Sequence, residues 1–308
     1  MKSYHDIAGD GGSGILEQVE ARNGRIADAL AAVRHLVAVG SGKGGVGKST
    51  LTWHLAGTLA ARGLRVAVLD ADFNGPSQAR MAGVTGAQFL PGSRKAVLPR
   101  AGNGVAVFSM GTVIPESQAL EFGGPAHGAS HTWRATREFS LLGEVLESFE
   151  WGALDMLLVD LPPGADRTTQ YAEFLGARTA FLLVTIPSAV ARGVVARSVA
   201  ALSTQPNPLV GYVENMSGYY CRDCGATRPL FASPEPSPLA LPCLGSIPFD
   251  PELALSCDRG LPLSSWPDGP VARAYDGVAQ RLLDGLAFTA TTSARGAGEP
   301  RPDLEGAR

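Results

Sequence analysis

Residues 40–50 constrain this chain more than any other stretch, because they read Gly-Ser-Gly-Lys-Gly-Gly-Val-Gly-Lys-Ser-Thr. A loop of the form Gly-x4-Gly-Lys-Ser wraps backbone N–H groups around the phosphates of a nucleotide. The apolar run 35–40 before it is typical of a buried parallel strand, and 51–61 after it has helical composition with Gly63 as a C-cap. The sequence therefore predicts a strand, a phosphate-binding loop and a helix in succession.

The side chains of this loop have distinct expected roles. Lys48 is expected on the β- and γ-phosphate oxygens, and the Ser49 hydroxyl on Mg²⁺. The same stretch also matches the dinucleotide fingerprint Gly-x-Gly-x-x-Gly over 40–45, but a dinucleotide site has no use for Lys48 or Ser49. We therefore favour a nucleotide-phosphate loop over a nicotinamide or flavin site. Nucleotide contacts are predicted at Gly42, Lys43, Gly44, Gly45, Val46, Gly47, Lys48, Ser49 and Thr50.

Length and composition favour one large soluble domain. The chain has 308 residues, of which 45% are hydrophobic and 18% charged, which suits a single α/β domain of roughly 250 residues with tails. The formal net charge of −3 gives no argument for nucleic acid or for an anionic membrane. The start lacks an apolar segment of the signal-peptide type, so we expect a cytoplasmic protein that contacts neither membrane nor nucleic acid.

Apolar strand-like runs alternate with helical segments along the chain. This alternation predicts an α/β fold with a doubly wound, mostly parallel sheet that is covered on both faces. Strands are predicted at 65–70, 105–109, 156–160, 180–186 and 209–213, and helices over 133–149, 168–177, 189–203 and 269–287. We expect a disordered segment over 1–14, a helix over 15–34, the main domain over 35–287 and a disordered tail over 288–308.

Two predicted strands end in carboxylates. Ligands of a doubly wound sheet bind beyond the carboxyl ends of the strands, so these side chains are candidate site residues. Asp72 is expected beside the γ-phosphate, where it would orient or activate water, and Asp70 near the metal. Asp160, followed by Leu-Pro-Pro-Gly, resembles the end of a Walker B strand with its switch loop and would support Mg²⁺. The alternative is that each strand-end aspartate merely caps the next helix.

The four cysteines are too few for a disulfide framework in a chain of this length. Cys221 and Cys224 form a Cys-x-x-Cys pair, which suggests metal or redox chemistry. A zinc knuckle completed by Cys243 and Cys257 and a thioredoxin-like redox pair are alternatives. Zinc sites usually come as two close pairs, whereas Cys243 and Cys257 are isolated and Cys243 lies in a run that reads as a buried strand.

The loop lysine at position 43 carries a family resemblance. With Lys43, the loop is similar to that of the deviant Walker A ATPases, the class of P-loop NTPases (SIMIBI) that contains MinD, ParA and nitrogenase iron protein. In that class the extra lysine contacts nucleotide phosphate across a face-to-face dimer, so the resemblance implies a homodimer with ATP near the interface. The motifs at 70–77, 160–164, 211–217, 221–224 and 245–251 together resemble the Mrp/ApbC iron-sulfur cluster carriers over 36–263.

That resemblance implies an ATPase that slowly converts ATP to ADP and phosphate and passes a 4Fe-4S cluster to apo-proteins. Cys221 and Cys224, in an insertion near 217–231, would bind the cluster together with the same pair of a second subunit, since four thiolates are the usual requirement. Asn215, Pro248 and Asp250 resemble the adenine-side segments of the family. The implied partners are a second copy of the chain, apo iron-sulfur client proteins and cluster scaffold proteins.

The chain departs from the family pattern in three places, one of which is 122–125, where Phe-Gly-Gly-Pro lacks the arginine of the family's Trp-Arg-Gly-Pro. Two rival functions from other classes are also considered. Ala165-Asp166-Arg167 stands where the family has Thr-Gly-Asp, which predicts altered switch contacts, and 232–242 carries four prolines where a helix is common. A MinD/ParA-like positioning ATPase would need a basic amphipathic C-terminal helix or a basic surface stripe, and 289–308 offers neither. The other rival is an ATP- and zinc-binding regulatory protein without turnover.

Overall fold

A mostly parallel sheet with helices on both faces forms the centre of the molecule in a computed structural model, which describes residues 14–114, 131–231, 239–261 and 269–296. The strands are β1 (His35–Ser41), β2 (Val66–Asp70), β3 (Leu90–Pro91), β4 (Ala96–Val97), β5 (Ala106–Phe108), β6 (Met156–Asp160), β7 (Ala180–Thr185), β8 (Leu209–Tyr220), β9 (Thr227–Arg228) and β10 (Cys243–Phe249). The helices are α1 (Ile15–Ala29), α2 (Lys48–Ala61), α3 (Gln78–Met81), α4 (His131–Ser148), α5 (Ala165–Leu175), α6 (Ala189–Leu202), α7 (Pro251–Asp258) and α8 (Pro270–Gly296).

The sheet order of the described strands is β10-β8-β7-β1-β6-β2-β5, with β9 attached to β8. All pairs along this path are parallel, and β9 alone among these strands runs antiparallel to its neighbour. The chain leaves β1 toward β2 on one side and later returns to place β7 on the other side. The carboxyl end of β1 therefore lies where the winding reverses, which is where ligands bind in such sheets. The doubly wound parallel sheet predicted from the sequence is confirmed.

The core consists of one apolar cluster on each face of the sheet. Every residue of β2, β6 and β7 is buried, as expected for parallel strands covered on both sides. Successive β1 residues alternate between the two clusters: Val37 and Val39 pack toward α2 and α8, whereas Leu36 and Ala38 pack toward α1, α4, α5 and α6. This packing fixes the strand ends that carry the site.

Several predicted boundaries differ from the structure. The helix α1 ends at Ala29 rather than near 34, and β8 continues to Tyr220 rather than ending at 213 because its distal half pairs with β9 and β10. The helix α8 continues to Gly296, so the tail predicted to be disordered from 288 onward begins as helix; no proline, and no glycine before Gly296, follows Leu286 to end it. Residues 1–13, 232–238 and 297–308 lie outside the described residues.

None of the helices in the described ranges combines the length and the apolar character that a membrane span needs.

Candidate functional site

The glycine-rich loop joins β1 to α2, as the sequence predicted, and its glycines are constrained. Gly45 and Gly47 adopt φ values of 78° and 77°, in the left-handed region. A Cβ on Gly47 would lie 2.2 Å from Nδ2 of Asn215, whereas a Cβ on Gly45 would meet nothing within 4 Å. The same Asn215 amide donates to the carbonyl oxygen of Val46 at 2.9 Å. Strand β8 is thus hydrogen-bonded to the phosphate loop through Asn215.

A cavity of about 280 Å³ opens over this loop. It is lined by residues 43–50 together with Ser41, Asp72, Ser77, Met81 and Pro163. The structure therefore brings Asp72 to the predicted phosphate loop although the two lie far apart in the sequence. Lys43, which is partly exposed, also lines the cavity, and its carbonyl oxygen accepts from the Ser41 hydroxyl at 3.0 Å.

Lys48 and Asp160 form a buried ion pair beneath the loop. The ammonium of Lys48 lies 2.5 Å from Oδ1 of Asp160 and 3.2 Å from the Ser49 hydroxyl oxygen. Thr52 donates to the same Asp160 oxygen at 3.2 Å. Asp160 thus lies against Lys48, predicted to hold phosphate, and Lys48 in turn contacts Ser49, predicted to hold Mg²⁺.

Asp70 lies directly beside Asp160, because the two end paired strands in register. Its Oδ2 accepts from the backbone N–H groups of Ser77 and Gln78 at 2.9 and 3.0 Å and from the Ser109 hydroxyl at 2.8 Å. Burial, reinforced by the charge of Asp160, raises the pKa of Asp70 to about 7. In this structure Asp70 orders the loop that follows β2, and its predicted support of a metal stays a prediction.

Asp72 is the carboxylate with access to the cavity. Its Oδ1 accepts a hydrogen bond from the Gly75 N–H at 3.3 Å, and the residue lies half-buried at the cavity wall. Burial raises the pKa of Asp72, and the nearby charge of Lys48 opposes that rise. A carboxylate here can accept a proton or orient a water molecule, which is the role predicted from the sequence.

Gln78 belongs to the site and was missed from the sequence. Its Nε2 donates to Asp160 Oδ2 at 2.8 Å and to the carbonyl oxygen of Ser49 at 3.0 Å. Its Oε1 is buried without a hydrogen-bond partner among the described residues. The one available signal was its position at the start of a short helix directly after the motif 70–77.

The switch segment 165–167, which departs from the family pattern, takes part in a contact between α4 and α5. Arg167 forms an ion pair with Glu138 and lies over the rings of Phe139 and Tyr171, with guanidinium-to-centroid distances of 5.5 and 5.6 Å. The Tyr171 hydroxyl donates to the same Glu138 carboxylate at 2.6 Å. The residue that departs from the family pattern therefore has a well-defined place in this chain.

Cys221 and Cys224 lie in the tight turn between β8 and β9. The Cys221 N–H donates to the Ala226 carbonyl at 2.9 Å, and the Gly225 N–H donates back to the Cys221 carbonyl at 2.9 Å. Cys224 is exposed and Cys221 partly exposed, and both thiols are free. Hydrogen bonds from the backbone and thiol of Cys224 lower the pKa of Cys221, which favours the thiolate that binds metals.

The zinc knuckle considered from the sequence is not formed by the other two cysteines. Cys257 is buried in α7, with its sulfur 3.2 Å from Nε2 of His54, and burial raises its pKa to about 11. Cys243 is exposed on β10, not in a buried strand position as predicted. Within the described ranges, no three histidine, cysteine, aspartate or glutamate residues come together as a metal site. Cys221 and Cys224 therefore offer two thiols without a third metal-ligating side chain among the described residues, and their predicted metal binding stays a prediction.

Asp250, one of the residues predicted on the adenine side, contacts this cysteine hairpin. Asp250 caps α7 by accepting from the Glu252 N–H at 3.0 Å. Arg222, between the two cysteines, donates to Asp250 Oδ2 through Nε at 3.1 Å and Nη2 at 2.8 Å. Neither Asp250 nor Pro248, which lies in β10, is among the described residues lining the cavity, so their contact with adenine stays a prediction.

Known proteins resemble this chain in sequence and in fold. A family model described as "ParA: NUBPL iron-transfer P-loop NTPase" matches residues 32–283. The iron-sulfur cluster carrier protein of Deinococcus radiodurans is 37% identical over 261 residues, which cover 82% of this chain and 70% of that protein. A nucleotide-binding protein from Archaeoglobus fulgidus, solved in complex with ADP, superposes with a TM-score of 0.64 at 28% identity, covering 77% of this chain and 91% of that chain.

A solved MinD supports the fold alone. The septum site-determining protein MinD from Pyrococcus horikoshii, complexed with Mg-ADP, superposes with a TM-score of 0.57 at 19% identity. The match covers 83% of this chain and 98% of that chain. The predicted MinD/ParA class of P-loop fold is confirmed.

Proposed function

This chain belongs to the ParA family of iron-transfer P-loop NTPases, as its motifs predicted, and we propose that it is an ATP-dependent carrier of 4Fe-4S clusters. One observation supports this most directly: the strand that contacts the phosphate loop through Asn215 ends in the hairpin that presents Cys221 and Cys224. A nucleotide site and a pair of metal-binding thiols thus share one structural element.

ATP with Mg²⁺ fits the groups beneath the loop. A hydroxyl and carboxylates are the oxygen ligands that Mg²⁺ prefers, and the unpartnered Oε1 of Gln78 is a further buried acceptor beside Asp160. Ser49 would bind the ion directly, with Asp70 and Asp160 acting through water. When bound, Mg²⁺ stabilises the charge on the β- and γ-phosphate oxygens.

Hydrolysis of ATP to ADP and phosphate would use three side chains at the cavity. Lys48 would leave Asp160 and bind the phosphate oxygens, and Asp72 would orient the attacking water from the cavity wall. Lys43, partly exposed at the cavity mouth, would reach the nucleotide of a second copy of the chain. ATP binding and hydrolysis would act as a slow conformational switch.

The cluster itself is the cargo. Each described chain offers Cys221 and Cys224 as two accessible thiols, and a 4Fe-4S cluster usually takes four thiolates, so two copies would share one cluster across a homodimer. Cluster scaffold proteins would supply the cargo and apo iron-sulfur proteins would accept it, in the cytoplasm. Neither a membrane nor a nucleic acid takes part in the proposed function.

Iron and acid-labile sulfide per chain, with visible absorption, test the proposal after anaerobic reconstitution at known oligomeric state. We expect about four irons per dimer, lost in the Cys221→Ala/Cys224→Ala variant. Cys243→Ala is the matched control, because this thiol is also exposed but lies outside the hairpin. Its iron content should equal that of the parent protein.

Zinc without iron would contradict the carrier function and favour an ATP- and zinc-binding regulator. Iron that survives the loss of both hairpin cysteines would also contradict it. ATP turnover measured on the same samples separates the carrier from a regulator that binds nucleotide without hydrolysis.

A further inference from the structure

Two separate connections link the cysteine hairpin to the phosphate loop. The first is β8 itself: Asn215 donates to Val46 of the loop, and Cys221 follows directly after the strand. Between them, Met216 has a φ of 52° and is the one non-glycine residue with positive φ in the described ranges. A methionine in this conformation is strained, so the strand carries a local irregularity just beyond its contact with the loop.

The second connection passes through α7. Arg222 binds Asp250 at the N-terminus of this helix, and Cys257 near its other end contacts His54 at 3.2 Å. His54 lies in α2, the helix that begins at Lys48, and the Cys257 thiol also interacts with the side chain of Thr50. A displacement of α2 on filling the phosphate loop would therefore be transmitted to α7 and to Asp250.

The ion pair between Arg222 and Asp250 has the properties needed to transmit such a displacement. Its two arginine nitrogens, Nε and Nη2, make directional, charge-assisted contacts with one carboxylate. The Asp250 side chain is 3% exposed and that of Arg222 is 37% exposed, so Asp250 is fixed within the protein while the arginine lies at the surface. Arg222 is flanked by the two cysteines, so its position constrains the backbone that carries both thiols.

We propose that Arg222 is a positioning residue that couples the phosphate loop to Cys221 and Cys224, so that nucleotide in the loop changes the geometry and reactivity of the two thiols. This inference rests on the nucleotide-binding part of the proposed function and specifies how the cysteine site is regulated. Because coupling free energies are reciprocal, a nucleotide that changes the affinity of the thiols for a metal has its own affinity changed by that metal by the same factor.

Alkylation kinetics test the coupling without iron. The full-length, reduced protein carries Cys243→Ser, which removes the other exposed thiol, and reacts with monobromobimane with and without saturating Mg-ADP. ADP that shifts the population of the reactive thiol arrangement by a coupling free energy at the low end of the usual range changes the alkylation rate of the hairpin thiols by about fivefold. Arg222→Gln should remove most of this change while ADP still binds.

Two further variants separate positioning from a general loss of structure. Arg222→Lys keeps the charge but loses the two-nitrogen contact, so it should retain part of the ADP response that Arg222→Gln loses. Arg228→Gln removes an exposed arginine from the same hairpin and should respond to ADP as the parent does. Thermal unfolding of all variants is recorded, since a merely structural ion pair would change the melting temperature of Arg222→Gln and leave its ADP response intact.

Equal ADP responses in Arg222→Gln and Arg228→Gln would overturn the inference. So would an absent response in a parent protein that binds ADP, and failure of the parent to bind ADP would overturn both the inference and the proposed function. The alkylation assay contains no iron. If ADP changes the alkylation rate but the protein binds no iron through the hairpin cysteines, the carrier function is overturned and the inference stands.

Discussion

The ammonium of Lys48 lies 2.5 Å from Oδ1 of Asp160, and the two side chains are 7% and 0% exposed. The charge of the phosphate-loop lysine is thus neutralised by the carboxylate at the end of β6. Removing one partner of such a pair leaves a buried, uncompensated charge, which is far more costly than losing an ion pair at the surface. Phosphate that binds Lys48 must compete with this carboxylate, and Mg²⁺ near Asp160 would compensate for the loss.

Lys48→Met is expected to lower the free energy of unfolding of the nucleotide-free protein by about 3–5 kcal/mol, because Asp160 stays buried without its counter-charge. Urea denaturation measures this change. Arg25→Met is the matched control: its ion pair with Glu147 is exposed, with arginine and glutamate side chains 58% and 26% accessible, and should cost less than about 1 kcal/mol. Similar costs for the two variants would contradict the buried ion pair.

Gly47→Ala should be more damaging than Gly45→Ala, although both glycines have nearly the same φ. Alanine at Gly45 adds conformational strain of about 1–2 kcal/mol and no steric clash. Alanine at Gly47 adds the same strain and also places its Cβ against Asn215. Unfolding free energies and ADP affinities of both variants measure the difference.

The combination Gly47→Ala/Asn215→Ala isolates the clash, since Asn215→Ala removes the amide that the new Cβ would meet. Measured against Asn215→Ala, which by itself loses the hydrogen bond to Val46, the double variant should show only a conformational strain like that of Gly45→Ala. Equal stability of Gly47→Ala and Gly45→Ala would contradict the close approach of Asn215 in β8 to Gly47 of the loop.

The phosphate loop could be predicted from the sequence because its determinants are local. The loop at 40–50 is specified by consecutive residues. The parallel sheet is indicated by continuous apolar runs, because strands buried on both faces do not alternate apolar with polar residues. The position of Asp72 at the cavity follows from the same logic, because carboxyl ends of parallel strands meet at one edge of the sheet.

The contacts that organise the site could not be predicted, because their partners are distant and carry no spacing signal. Gln78 and Asp160 are 82 residues apart, and His54 and Cys257 are 203 apart. Arg222 and Asp250 each belong to a recognisable motif, but nothing in either motif indicates that they meet. Such pairs depend on strand register and helix packing, which a single sequence does not display.

Arg167→Gln is expected to shift the acidic limb of the proposed ATP hydrolysis to higher pH. Burial raises the pKa of Asp72, and the charge of Arg167 is among the influences that lower it, so removing that charge raises the pKa further. Asp72 then loses its negative charge at a higher pH, and activity falls earlier on acidification. The pH dependence of kcat measures the shift. Arg137→Gln, an exposed arginine of α4, should leave the limb in place, and coinciding limbs in all three proteins would contradict a role of Arg167 at Asp72.

His54→Gln is expected to make the protein less sensitive to acid. Burial lowers the pKa of His54 from 6.5 to about 3, so between these values the unfolded chain binds a proton that the folded protein does not. Stability from this group is therefore present above pH 6.5 and is lost as pH falls toward 3. From pH 7 to pH 5 the parent should lose about 2 kcal/mol more unfolding free energy than the variant.

Urea denaturation of both proteins at the two pH values measures this difference, in which contributions from all other groups cancel. His35→Gln is the control, because His35 is only partly buried and its pKa is lowered less far. It should reduce the acid sensitivity by a smaller amount. Equal acid sensitivity of the parent and His54→Gln would contradict the lowered pKa of His54, which rests on its burial and on a buried Nδ1 without a hydrogen-bond partner in the described residues.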